Sequence, residues 1–332
     1  RWYIVDLILK NKYKIEGLSL SGSLKESIDT ISYTMNFEIL KNYALANKIG
    51  LTKGDSIEFY DKGFWSKENK KIFSGVIWTT NESDKTMRIS LECKERTVYL
   101  EESEDELLLY DGHTATQRAT NICNDWSIPI GNFADTGIGL SKDRRKNSLY
   151  TMMWSDLKET AQKGGKLYCY RMGTSLDLIE LGTNEVIYKL DGIIDDPSRK
   201  NTLDGVVTQV KVLGENKSKE ESPEISPIVG VFKQGTDDYG TIQKIVQDSK
   251  VTDYATGQDK ANSMFSTGED TWTFKCVKDI PDIRAGDKVS LYDKFYYVTE
   301  ITHNLGDADS MTMNAMSTLD DIRRKFYAKW YL

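Results

Sequence analysis

The side chains best suited to catalysis or metal binding are few in this sequence, and they stand apart. There are two histidines, His113 and His303, and four cysteines, Cys93, Cys123, Cys169 and Cys276. A zinc site needs three or four thiolate, imidazole or carboxylate ligands brought together, most simply through a Cys-x-x-Cys pair. No two of these cysteines lie that close, and a Cys–His nucleophile pair is poorly supported. Cys93 and Cys276 fall at apolar positions of alternating segments, and Cys123 falls in an expected helix. Buried free thiols, in a chain made in a reducing compartment, are therefore expected. His303 ends the strand-like run Tyr297-Val298-Thr299-Glu300-Ile301-Thr302, where a hydrogen-bonded structural histidine outweighs a ligand or base. His113 stands just before a helix cap, where a solvated imidazole is expected.

Acidic pairs are the remaining candidates, notably Asp195-Asp196 and Asp237-Asp238. Glycoside hydrolysis needs two carboxylates roughly 5 to 10 Å apart in a cleft. Asp195-Asp196 runs into Pro197-Ser198, a turn composition, and the turn reading outweighs a catalytic one. No phosphate-binding loop, nucleophile elbow or H-E-x-x-H helix occurs, and the glycines from Gly131 to Gly139 do not follow a strand in a βαβ unit. The expectation is no catalytic residue, no cofactor-binding residue, no metal ligand set and no enzyme activity. Two basic patches remain, Arg144-Arg145-Lys146 and Arg323-Arg324-Lys325. The second leads into Phe326-Tyr327-Ala328-Lys329-Trp330-Tyr331-Leu332, which reads equally as a partner-binding tail or as a terminus folded onto its own domain.

The elements that would carry these residues must come from a chain of 332 residues, long for one core, so two or three packed units are expected. Hydrophobic residues make up 39%, enough to bury a core, and charged residues 29%, enough to cover it. No apolar run approaches the roughly 20 residues that span a bilayer. No signal-peptide pattern opens the chain, and Arg1-Trp2-Tyr3-Ile4-Val5 lacks an initiator Met, so a trimmed start is expected. The net charge of -7 argues against coating nucleic acid or binding it specifically. It is compatible with an acidic channel past which a polyanion slides.

Residues 1–100 read as a first β domain. From Thr30 to Ile39 the alternation is unbroken, with Ile31, Tyr33, Met35, Phe37 and Ile39 on one face. Ile57 and Phe59 continue it, as do Met87, Ile89, Leu91 and Cys93. Residues 101–200 read as an α/β insert. Its acidic run from Glu101 to Glu106 is expected to be a solvated loop. Thr114-Ala115-Thr116-Gln117 is a capping box that should open a helix to about Trp126. Ser148 to Lys163 should form a second helix, stopped by Gly164-Gly165. Strands are expected at Lys166 to Arg171 and Leu176 to Leu181. Residues 201–322 read as a second β domain, with a strand from Val206 to Val212 and a helical insertion at about 228–267. Within that insertion helices are expected at Thr241 to Asp248 and Asp253 to Phe265. Glu215 to Pro227 is expected to be an exposed loop, and residues 323–332 a C-terminal tail.

Two segments match across this layout. Leu51-Thr52-Lys53-Gly54-Asp55-Ser56-Ile57-Glu58-Phe59-Tyr60-Asp61-Lys62 and Ile283-Arg284-Ala285-Gly286-Asp287-Lys288-Val289-Ser290-Leu291-Tyr292-Asp293-Lys294 align with an offset of 232 residues, Gly54 to Gly286. Each predicts a tight Gly-Asp turn feeding a strand with one buried face. Ile57, Phe59, Val289 and Leu291 should be buried, with Glu58 and Ser290 exposed on the opposite face. The period is too long for a solenoid, so two like domains with an insert between them are expected.

The stretch from Ile280 to Ala315 resembles the last barrel of tail baseplate hub proteins. The resemblance rests on Ile283-Arg284-Ala285-Gly286-Asp287, then Phe295-Tyr296-Tyr297-Val298, then His303, then Met311-Thr312-Met313, with Tyr239-Gly240 and the helical residues after it similar to the family's insertion before that barrel. The likeness is to hubs of contractile phage tails, defective prophage tails and phage-tail-like bacteriocins, and more distantly to T-even hubs and the hub region of type VI secretion spikes. It implies a mainly β chain with an α+β insert: two related tail-tube-like β-barrel domains and a middle α/β domain. It implies a homotrimer whose six barrels match a six-fold tail tube above and a three-fold spike or tip protein below. Other baseplate proteins and a tape-measure protein in the lumen are further implied partners. The particle would be assembled from a chain made in the bacterial cytoplasm, becoming part of a virion or a released extracellular tail. A cell-wall-active enzyme or glycan-binding module carried on a tail is the alternative.

Overall fold

The computed structural model describes residues 6–10, 12–15, 22–62, 69–216, 224–247, 251, 253–305 and 310–327. The protein is mainly β, 46% strand and 20% helix, with one large antiparallel sheet and small mixed sheets. It divides into two compact units, residues 1–198 with 272–317, and residues 199–271 with 318–332.

The first unit begins with β1 (Asp6–Leu9), β2 (Tyr13–Ile15), β3 (Gly22–Ser27), β4 (Thr34–Leu40), the short helix α1 (Lys41–Ala46), β5 (Ser56–Lys62), β6 (Asn69–Ser83) and β7 (Arg88–Glu95). Most of the alternation seen in sequence is realised here: Ile31, Tyr33, Met35, Phe37, Ile39, Ile57, Phe59, Ile89, Leu91 and Cys93 are all buried, whereas Met87, expected with them, is exposed at φ 52° in the turn before β7. They pack with Leu7, Leu9, Leu24 and Phe73 into one apolar core.

The chain then runs through α2 (Val98–Glu102), β8 (Glu104–Leu109), α3 (Ala115–Asp125), β9 (Ile130–Phe133), β10 (Asp143–Ser148), α4 (Leu149–Gln162), β11 (Tyr168–Met172), β12 (Leu176–Glu180) and β13 (Ile194–Thr202). The capping box forms as the residue types require: Thr114 Oγ1 accepts the Gln117 N–H at 3.3 Å and Gln117 Oε1 accepts the Thr114 N–H at 2.9 Å. Ser148 caps α4 by accepting the Thr151 N–H at 3.2 Å, and Gly164, at φ 82°, ends it. Two readings are corrected in this stretch. The acidic run is a helix end and a strand, because β8 pairs with β10 and sets Glu106 opposite Lys146. Asp195-Asp196-Pro197 lies in β13, an end strand of the large sheet, and not in a turn.

After β13 come β14 (Gln209–Leu213), β15 (Ile228–Lys233), the single turn α5 (Thr236–Tyr239), β16 (Gln243–Gln247) and α6 (Tyr254–Asn262). A helix was expected over Thr241 to Asp248, of which Asp248 lies outside the described residues; Gln243–Gln247 form strand β16 instead, parallel to β14. Its β-branched Ile245 and Val246 suit the sheet, and Gly235 and Gly240, both left-handed, confine helix to one turn before it. Asp253 caps α6 by accepting the Thr256 N–H at 2.9 Å. Val210, Val212, Phe232, Val246, Ala261, Met264 and Phe265 make this second unit's core. Residues 217–223, most of the expected exposed loop, lie outside the described residues; its flanks Glu215, Asn216 and Ile225 are exposed.

The remaining elements are β17 (Glu269–Cys276), β18 (Lys288–Leu291), β19 (Lys294–Leu305), β20 (Ser310–Met316), α7 (Leu319–Ile322) and a π-helical turn at Arg323–Tyr327. Tyr327 is fully buried, so of the two readings of the C-terminal segment the folded-back one holds at that residue; residues 328–332 lie outside the described residues.

Where two separate barrels were expected, one continuous sheet runs β13-β17-β20-β19-β3-β4-β7-β6-β5-β1-β2, with β18 paired to β19, and no closed barrel forms among the described residues. The two halves merge because β19 is much longer than its neighbour β18. Its second half would otherwise leave an open edge, and β3 covers it from Gly22↔Leu305 to Ser27↔Glu300.

Candidate functional site

The two matched segments share their turn and the start of the strand after it, and then part: β5 runs on to Lys62, whereas β18 ends at Leu291 in a hairpin turn with Tyr292 and Asp293 at positive φ. Gly54 (φ 89°) and Gly286 (φ 94°) take the left-handed conformation that a Cβ disfavours. Asp55 Oδ2 accepts the Thr52 N–H at 2.7 Å, and Asp287 Oδ2 accepts the Arg284 N–H at 2.8 Å. The N–H groups of Gly54 and Gly286 donate to Ile77 O and Val298 O, each at 2.8 Å. In return Ile77 N–H reaches Asp55 O at 2.9 Å and Val298 N–H reaches Asp287 O at 2.8 Å.

The strands beyond the turns repeat as well. Ser56↔Val76 and Ile57↔Gly75 correspond to Lys288↔Tyr297 and Val289↔Tyr296. A register shift falls between Ile77 and Thr79 in β6 and between Val298 and Glu300 in β19, the same place in each repeat. Met35↔Cys93 corresponds to Trp272↔Ala315. Thus β4, β5, β6 and β7 recur as β17, β18, β19 and β20. Ile57, Phe59, Val289 and Leu291 are all buried. Ser290, expected to be exposed, is buried too, because residues 188–190 run beside β18 and bond to it on both sides: Ser290 N–H to Tyr188 O and Leu190 N–H to Ser290 O, each at 2.9 Å.

At the seam between β3 and β19 the second turn is bound into a buried ionic cluster. The Glu26 carboxylate accepts Arg284 Nε at 2.8 Å and the Ala285 N–H at 3.0 Å, with a further contact from Arg284 Nη2. Arg284 also donates to Met172 O at 3.0 Å and lies 4.6 Å over the Tyr33 ring. Arg171 joins from β11, donating to Asp287 Oδ1 at 2.9 Å. Burial alone would raise the Glu26 carboxyl, but the charge and hydrogen bonds of Arg284, helped by Arg171 and the Ala285 N–H, hold it below the usual carboxylate range. Glu95 lies in the same buried region, where its carboxyl accepts the Tyr33 N–H at 3.4 Å. Burial pushes its carboxyl well above the usual range. Beside the seam an open groove of about 280 Å³ is lined by Asp29, Glu101 and Glu300 together with Lys25 and Lys94, so its charge is mixed.

The other candidates lie elsewhere. His303 is buried in β19, its Nδ1 2.6 Å from Asp279 Oδ1 and its Nε2 3.1 Å from Ile283 O, which holds the chain leading into the second turn. His113 is half-buried against the Tyr110 ring. All four cysteines are free and buried, with the Cys123, Cys169 and Cys276 thiols pushed up to about 12 by burial. Within Arg144-Arg145-Lys146, Arg145 turns inward to Asp156 at 2.7 Å and shares it with the buried Arg118. Among the described residues no three His, Cys, Asp or Glu side chains form a group that could hold a metal ion, and no helix is long and apolar enough to cross a membrane. Sequence reasoning missed Glu26, Glu95 and Arg171. The one available signal was Arg284, a charged residue where the first repeat carries Thr52.

The fold is that of prophage tail proteins. Over 94% of this chain and 98% of the other, it matches the 43 kDa tail protein of prophage MuSo2 from Shewanella oneidensis, with a TM-score of 0.68 at 12% identity. A tail protein from Neisseria meningitidis MC58 matches over 98% and 99% of the two chains, with a TM-score of 0.67 at 15% identity. The c3393 protein of E. coli, a component of the type VI secretion system described as structurally similar to T4 bacteriophage tail proteins gp27 and gp5, matches over 95% of this chain and 77% of that one, with a TM-score of 0.53 at 10% identity. The chain belongs to the YQBQ-like family, whose family model matches residues 22–315. No curated protein matches it.

Proposed function

We propose that this chain is a non-enzymatic structural hub at the baseplate of a contractile phage-type tail or tail-like bacteriocin. It would act as a homotrimer that adapts a six-fold tail tube to a three-fold spike and continues the central channel. The observation that carries this reading is the repeat. Two halves with the same turn, bulge and strand pairing let three chains present six near-equivalent faces. The likeness to tail proteins over nearly the whole of each chain supports it. In this reading residues 1–100 and 201–322 supply the two tail-tube-like barrels, completed in the assembled ring. Residues 101–200 form the insert, and 323–332 the C-terminal segment.

Its partners would be the tail tube protein above, a spike or tip protein below, other baseplate proteins around it and a tape-measure protein in the lumen. It would be made in the bacterial cytoplasm and end in a virion or a released particle. Cryo-electron microscopy of assembled particles tests this. Three copies around the tail axis between tube and spike are expected, and a chain placed off that axis overturns the proposal. Purified protein should leave cell-wall sacculi turbid; clearing that a single Asp or Glu substitution abolishes would replace the hub with a cell-wall enzyme.

A further inference from the structure

The small sheet β15-β14-β16 has one face covered and one bare. Val210, Val212, Phe232 and Val246 point inward, where Ala261 of α6 packs on them. The register fixes what points outward. Val231, Lys211 and Ile245 make one row across the bare face, and Ile228 and Leu213 begin the next. Ile228, Val231 and Ile245 are 55%, 42% and 56% exposed, and Leu213 is half-buried. The other outward positions are Lys233 and the glutamines Gln209, Gln243 and Gln247.

Two features set this face apart from an ordinary solvated one. A sheet open to water on one side is polar there, whereas this one is apolar around a central lysine. In addition β14 and β16 are parallel, and parallel pairs are normally covered on both faces. The charge is one-sided too. No outward position is acidic, in a chain whose net charge is -7. Among the described residues neither Lys211 nor Lys233 has an ion-pair partner.

We propose that this face docks an amphipathic helix of another protein, with its apolar stripe on Ile228, Leu213, Val231 and Ile245 and an acidic residue on Lys211. The dimensions select a helix. Three strands about 4.8 Å apart make a face about 10 Å wide, and a helix with its side chains is about 10–12 Å across. One helix therefore covers the outer face as α6 covers the inner. A strand added at either edge leaves the face bare. A second copy of this chain has no such helix to offer among the described residues, because α3, α4 and α6 turn their apolar residues into their own cores. The inference rests on the reading of the chain as one component of a larger assembly, and not on the trimer.

The test places the photo-cross-linker p-benzoylphenylalanine at Ile245 of the full chain in assembling tails, with a control probe at the exposed Asp259 on α6. The expected product from position 245 joins one segment of a different protein, apolar at helical spacing with an Asp or Glu on the same face. The control does not capture that segment. Lys211→Glu should weaken capture roughly thirtyfold, Lys211→Arg should keep it, and reversing the acidic residue of the captured segment to Lys should restore it to Lys211→Glu. That rescue separates a lost contact from a misfolded face. Capture of a second copy, capture of a segment without helical spacing or acid, or a yield indifferent to Lys211→Glu overturns the proposal. Tails that hold the chain on their axis but give no cross-link overturn the docking and leave the hub reading standing. A chain found off the axis overturns the hub reading, while capture and charge reversal still decide the docking.

Discussion

The two Gly-Asp turns share a backbone and differ in everything around it. At the first, Asp55 meets Lys10 at 3.0 Å near the surface, with a third of the lysine side chain exposed. At the second, the matching Asp287 meets Arg171, and the neighbouring Arg284 is locked to Glu26 beneath the seam. The turn itself is a local solution, written by glycine and by an aspartate that caps its own loop. What the turn is worth to the protein depends on where the fold places it.

Removing the ionic partners should show the widest gap. Breaking a buried pair leaves an uncompensated charge and costs about 3–5 kcal/mol, whereas an exposed pair contributes about 0–1 kcal/mol. Arg284→Ala should therefore lower stability to chemical denaturation several-fold more than Lys10→Ala. Equal midpoints for the two variants would show that the seam is not a keystone.

The glycines give a smaller contrast. A left-handed Cβ costs about 1–2 kcal/mol at either turn. At Gly54 the new Cβ meets nothing within 4 Å, but at Gly286 it meets Cys169 Sγ at 3.0 Å and Leu181 Cδ2 at 3.1 Å. Gly286→Ala should be more destabilising than Gly54→Ala in thermal melts. Matching losses would mean that the second turn has room to give.

The smallest effect is in pH dependence. Burial raises Glu95, so the folded chain keeps a proton that the unfolded chain has lost, and stability falls as pH climbs from the ordinary glutamate range toward the raised value. Glu26, held low, acts in the opposite sense: its contribution is present above the ordinary range and is lost as pH falls through its lowered value. Glu95→Gln should flatten the loss on the alkaline side while leaving the acid limb intact. A variant with an unchanged profile would show that Glu95 titrates alike in both states.

Much of the framework could be read from residues close in sequence. The alternation from Ile31 to Ile39, the Thr114–Gln117 capping box, the ends of α4 and the paired Gly-Asp turns all depend on side chains within a few positions of one another. Their physics is local: side-chain period, orphan N–H groups at a helix start, and the freedom of glycine at positive φ. Three features belonged to the tertiary structure alone. Gln243 to Gln247, inside the segment expected to be helical, became a strand because β14 was there to pair with it. Asp195-Asp196-Pro197 became a strand because it lies beside β17. The expected separate barrels became one sheet because β3 covers the long edge of β19. The Glu26–Arg284 pair depends on the same seam, joining residues 258 apart in the chain, a distance over which neither spacing nor composition carries a signal.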